Sequence, residues 1–125
     1  MSLQTSVNIW TALTDWDTTR LQAFICAYYT EDGDLDGSAF SLAVGATYLD
    51  DDWIEADVGA PTSATARLLS GFSQDEGILL ACANAGKSTL AAAADTAILV
   101  YDQAVADKDF TYQGIRFFSL GRFVF

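Results

Sequence analysis

Histidine is absent from this 125-residue sequence. With it go imidazole acid–base chemistry, Ser-His-Asp and Cys-His nucleophiles, and histidine-ligated metals. Basic residues are scarce: six lysines and arginines face 17 acids, a formal charge of −11. Nucleic acid is therefore a poor partner, because binding it depends on cationic side chains that neutralise phosphates. The two cysteines, Cys26 and Cys82, have no CxxC spacing and are too few for a disulfide scaffold. They read as reduced core residues of a cytosolic protein. No apolar run approaches the roughly 20 residues that cross a bilayer. The opening Met1-Ser2-Leu3-Gln4 has neither the charged nor the apolar region of a signal peptide, so a cytoplasmic protein without membrane contact is expected. Proline occurs once, at Pro61, and no low-complexity tract divides the chain.

What remains is ample for a core. Hydrophobic residues make up 51% and aromatics 13%, which excludes wholesale disorder and fits one domain over residues 1–125. The negative charge is uneven. Residues 1–60 carry 11 acids and one base, Arg20, for a net of −10, whereas residues 61–125 carry six acids and five bases. That asymmetry concentrates negative potential on whatever face the first half presents, and can steer a basic partner. Solubility alone would also favour it.

Periodicity outlines the elements. Ser6 to Leu13 alternates Val7, Ile9 and Thr11 against Asn8, Trp10 and Ala12, as a strand does. Thr14-Asp15-Trp16-Asp17 has the form of a capping box, and the helix it opens carries Leu21, Phe24, Ile25 and Tyr28 on one stripe. An acidic turn, Thr30 to Gly37, precedes a short helix capped by Ser38 and stopped by Gly45. Trp53 to Val58 reads as a second strand, with Trp53, Glu55 and Asp57 on one side and Ile54, Ala56 and Val58 on the other. Pro61 breaks the chain before a helix around Ala64 to Leu69, and Ser73 with Glu76 forms a second capping box. The helix behind it buries Ile78, Leu79 and Cys82 and ends near Gly86. Thr96 to Tyr101 and Tyr112 to Phe118 give the third and fourth strands, and Leu120 to Phe125 a docked tail. The expected class is α+β: a single domain with about four strands, in a mixed or antiparallel sheet flanked by helices.

Two motifs imitate binding loops and fall short. Asp32-Gly33-Asp34-Leu35-Asp36-Gly37 matches the start of a calcium loop, but its ninth position is Phe40 and its twelfth Ala43, where oxygen ligands are required. An acidic solvated turn is the better reading, and no metal is expected. Gly86-Lys87-Ser88-Thr89 resembles the end of a phosphate loop but lacks the earlier glycine, with Ala81 in its place, and lacks the incoming strand. A helix C-terminus fits it better, and no cofactor is expected. Paired carboxylates are available in quantity, but nothing fixes a catalytic distance between any two.

Leu49 to Asp57 is more informative. It joins five acids, Asp50, Asp51, Asp52, Glu55 and Asp57, to the indole of Trp53. Tryptophan is a frequent interface anchor, and the acids would pair with lysine or arginine on a partner. A core tryptophan beside a loop of aspartates would look the same. Asp32, Asp34 and Asp36 make a second candidate patch. Trp10 and Trp16 are further candidates for that surface, with Trp10 better placed in the core.

Several pieces in succession carry a family resemblance: Val7-Asn8-Ile9-Trp10, Tyr28-Tyr29 with Glu31-Asp32-Gly33-Asp34, Phe40, Leu49 through Ala56, Ala97 through Asp102, and Phe117 through Phe123. In that order they resemble immunity protein family 22 of bacterial polymorphic toxin systems, first catalogued as a domain of unknown function. The resemblance spans roughly residues 7 to 125 and implies a small α+β cytosolic protein that binds and blocks a co-inherited toxin, without being an enzyme. A toxin that attacks nucleic acid is typically basic at its cleft, and an acidic protein can occupy such a cleft in place of phosphates. The alternative is a small cytosolic accessory or ligand-binding protein with no toxin partner. The aromatic C-terminal end leaves homodimerisation open.

Overall fold

Every residue of Ser6–Ala12, strand β1, is buried, because this strand has neighbours on four sides. The computed structural model describes residues 5–26, 38–45, 49, 51–103 and 105–125, and of Asp51 the backbone only. After β1 come helices α1 (Thr18–Ile25) and α2 (Ala39–Ala43), a 3-10 turn at Asp51–Trp53, and strand β2 (Ile54–Ala64). Helices α3 (Thr65–Leu68) and α4 (Asp75–Asn84) follow, then strands β3 (Thr89–Tyr101), β4 (Phe110–Tyr112) and β5 (Ile115–Val124). The strands form one five-stranded sheet in the order β2-β3-β1-β5-β4, and every pairing in it is antiparallel.

Strand alternation sends two apolar sets to opposite faces. On one face Trp10, Ala12, Ile54, Ile98, Val100 and Phe117 meet Leu21, Phe24 and Ile25 of α1 and Phe40 of α2. On the other, Val7, Ile9, Leu99 and Phe123 meet Leu69, Phe72, Ile78 and Cys82 from the α3–α4 region. The first face is dominated by rings. Trp10 stands edge-on to Phe40 at 5.3 Å between centroids, and Phe110 stacks on Phe117 at 4.7 Å. Burying this much aromatic surface, with edge and offset geometries, anchors α1 and α2 to the sheet.

Where the structure departs from the expectations, competing hydrogen bonds or pairings explain it. The sheet has a fifth strand because Gln113 and Gly114, both at positive φ (51° and 78°), form a two-residue turn that folds residues 110–124 into a hairpin. The tail is thus strand, paired with β1 from Ser6↔Val124 to Thr11↔Phe118. Pro61 lies inside β2, at the outer edge of the sheet where its missing N–H costs no ladder bond. Neither anticipated capping box at Thr14 or Ser73 forms: α1 is capped by Asp17, whose side chain accepts from Arg20 N, and α4 begins after Gln74 with no side-chain cap. Thr14 instead joins the buried carboxylate of Asp95, which accepts from the N–H groups of Thr14 and Asp15 at 2.8 Å each. The Ser38 cap forms as expected, with a reciprocal bond from Ser41. Cys82 is buried but Cys26 is exposed at the end of α1, since that helix closes one residue earlier.

Candidate functional site

The acidic stretch enters the sheet through the turn at Asp51–Trp53, so Trp53 lies before β2 and not within it. Trp53 is 52% exposed, the most exposed of the tryptophans, whereas Trp10 and Trp16 are 0% and 7% exposed and belong to the core. Trp53 and Asp52 stand at the rim of a cleft of about 240 Å³, whose other walls include Glu55, Ser73, Tyr101 and Asp102.

Glu55 is the centre of the cleft. It pairs with Leu99 in the β2–β3 ladder, which places Tyr101, two residues further along β3, diagonally across on the same face. The Tyr101 phenol donates to Glu55 Oε1 at 2.7 Å. Ser73 donates its hydroxyl to Oε2 at 2.8 Å and its N–H to both oxygens at 3.2 and 3.3 Å. All these donors are neutral, so they orient the carboxylate without supplying a counter-charge. Burial, the bond to Glu55 and the nearby charges of Glu55 and Asp75 push the Tyr101 phenol well above its ordinary range. At the cleft's far wall Asp102, with φ of 49°, accepts from Ser6 N at 2.8 Å.

Asp57 follows on the same face of β2 and is exposed. Its Oδ1 accepts from Val58 N at 2.8 Å. A second hollow, about 290 Å³, runs along the outer edge of β2 past Ile54, Glu55, Ala56 and Asp57. The structure therefore brings Asp52, Trp53, Glu55 and Asp57 to one end of the sheet. Asp50 and the patch Asp32, Asp34 and Asp36 lie outside the described residues, as does Tyr28, and only the backbone of Asp51 is described. Among the described residues no group of three carboxylate, thiol or imidazole side chains gathers as a metal site would, and no helix is long and apolar enough to cross a membrane.

Sequence reasoning missed Ser73, Tyr101 and Asp102 as members of this cleft. Ser73 carried the signature of a helix cap and Tyr101 that of a core strand. Their approach to Glu55 across separations of 18 and 46 positions depends on strand pairing, which leaves no local signal.

The architecture is an α+β sandwich, an antiparallel sheet between two layers of helices. Residues 7–125 match the family model described as Immunity protein 22, and the chain belongs to that family. Membership suggests neutralisation of a toxin as its role. Comparisons with curated proteins and with solved structures found no match.

Proposed function

We propose that this chain is a bacterial immunity protein that neutralises a cognate toxin by stoichiometric occlusion, with no turnover of its own. Its acidic end, comprising Asp50, Asp51, Asp52, Trp53, Glu55 and Asp57, would lodge against a cationic surface of the toxin, such as the active cleft of a basic nuclease. The carrying observation is Glu55: a half-buried carboxylate held by neutral donors alone, beside a half-exposed indole. A cation placed there gains a charge partner already oriented and partly desolvated, together with an aromatic face. The cleft, at about 240 Å³, falls below the roughly 300–1,000 Å³ of typical small-molecule sites. That volume suits an inserted side chain better than a free ligand. The acids on the approach would speed encounter, with Asp32, Asp34 and Asp36 as a second candidate patch. The site of action is the cytoplasm.

The test is co-expression with the toxin encoded beside its gene, followed by capture and binding kinetics. One-to-one capture and rescue of growth are expected. Trp53→Ala should speed dissociation, and Asp51→Lys with Asp52→Lys should slow association by about tenfold and flatten its salt dependence. Absence of capture, or kinetics unchanged in all these variants, would overturn the reading.

A further inference from the structure

Among the described residues, no strand pairs with the outer edge of β2, which lies at the floor of a groove. β2 ends the sheet, and from Ile54 to Val58 its register with β3 is unbroken. Val58 gives its N–H to Asp57 Oδ1 and not to β3. The alternation of an antiparallel ladder turns the N–H and C=O groups of Ile54 and Ala56 the same way, outward. The hollow along this edge has Gln22 of α1 on one wall and Gly71 and Phe72 on the other, so the edge is reachable from solvent between its flanking helices. Further along, the strand is closed to pairing. Pro61 has no N–H, and the N–H of Ala64 is taken by Thr62 Oγ1 at 3.1 Å. The N–H of Val58 is likewise taken, by Asp57 Oδ1, so the receptive segment is Ile54 to Asp57.

Its chemistry selects the occupant. Glu55 and Asp57 are two positions apart and project to one face, about 7 Å from each other along the strand. Among the described residues neither is paired with an arginine or lysine: their acceptor bonds go to Tyr101 and Ser73, and to Val58. Ile54 and Ala56 project to the opposite, apolar face. An added strand has the same two-residue period, so cations at alternate positions would fall beside Glu55 and Asp57. A second copy of this chain would set the same acids against each other, on molecules that each carry a net charge of −11, and like charges opposed across strands are destabilising.

We infer that an extended segment of the partner, with lysine or arginine at every second residue, adds as a strand to the outer edge of β2 at Ile54–Asp57. This rests on the toxin-binding reading above and names how that surface is engaged.

The probe is a short, end-capped peptide alternating lysine and valine, with a threonine–valine peptide and a proline-interrupted lysine–valine peptide as controls. Hydrogen exchange is followed on the full chain. The lysine–valine peptide should slow exchange at Ile54 and Ala56 by about tenfold or more, as new strand bonds do. Neither control should. Asp57→Lys should weaken its binding by about tenfold, and Ala56→Pro, which removes an outward N–H, should abolish it. Should Ala56→Pro fail to fold, Asp57→Lys and amide protection in the unmodified chain still decide. Binding without protection at Ile54 and Ala56, or equal binding of the proline-interrupted peptide, overturns strand addition while leaving the acidic face as a toxin surface. No binding of the lysine–valine peptide also overturns it, and toxin capture then reports on the function separately. A dimer in sedimentation that Ala56→Pro dissociates would assign the edge to a second copy instead.

Discussion

Tyr101 donates its phenolic proton to Glu55 across 46 positions of sequence, at 2.7 Å, and this bond ties the inner strand β3 to the edge strand β2 inside the cleft. Its removal is informative in two ways. Tyr101→Phe should cost about 1 kcal/mol at neutral pH, since Glu55 keeps its serine donors. The pH dependence gives the sharper test. Burial first, and then Glu55, raise the Tyr101 phenol above its ordinary value of 10.0. In the unfolded chain it loses its proton near that value, while the folded chain retains it. The unfolded state then binds fewer protons, so stability is complete below about pH 10 and declines as pH rises toward the folded value. Urea midpoints measured from pH 8 upward should show this decline, and Tyr101→Phe should flatten it.

Asp95 is 6% exposed and holds the turn after β1 through Thr14 N, Asp15 N and the Thr96 hydroxyl, each at 2.8 Å. Asp95→Ala leaves the buried Thr14 N–H and the part-buried Asp15 N–H without this acceptor, while the Thr96 hydroxyl keeps that of Thr14 at 2.7 Å, and should cost about 3 kcal/mol. Asp95→Asn should recover little of it, because its amide nitrogen replaces one of the two accepting oxygens with a donor. Chemical denaturation of both variants would check this, and a loss below about 1 kcal/mol would contradict the role.

Gly77 lies within α4, where alanine would ordinarily add about 1 kcal/mol. A Cβ there would sit 2.6 Å from Cδ2 of Phe125. The ring cannot retreat with its backbone, because Phe125 exchanges bonds with Thr5 at 2.9 and 3.0 Å. Gly77→Ala should therefore be neutral or destabilising alone, yet stabilise a Phe125→Ala background by about 1 kcal/mol. Thermal melts of the double-mutant cycle measure the difference.

The two cysteines should part in reactivity. Cys26 is exposed, while burial raises the Cys82 thiol above its ordinary value, with Lys87 opposing in part. A thiol-specific reagent at neutral pH should label Cys26 quickly and reach Cys82 only on unfolding. Equal labelling of both in the native protein would contradict the burial of Cys82.

Local signals in the chain located most elements. The alternation in Ser6–Ala12 and the apolar run ending at Tyr101 both became strands, and Ser38 capped its helix. Signals with two readings failed where a distant group competed. Thr14 and Ser73 each look like caps, but buried Asp95 and half-buried Glu55 offer acceptors from sequence-distant strands. Pro61 looks like a break, yet an edge strand has no ladder bond for it to lose on its outer side. Likewise Gln113-Gly114 became a hairpin turn only because β1 stood ready to receive the second arm.

Composition, charge asymmetry and periodicity determined that this would be an acidic α+β protein with its negative charge crowded into the first half and an indole among the acids. Those properties belong to residues and their near neighbours, so they survive in a linear string. Only the tertiary structure decided that Trp53 would face solvent while Trp16 would not, that Glu55 would be gripped by a serine and a tyrosine, and that β2 would lie outermost with part of its edge open. Each of those follows from which strands lie side by side, and pairing between segments far apart is selected by the burial of the whole core and not by any short stretch of sequence.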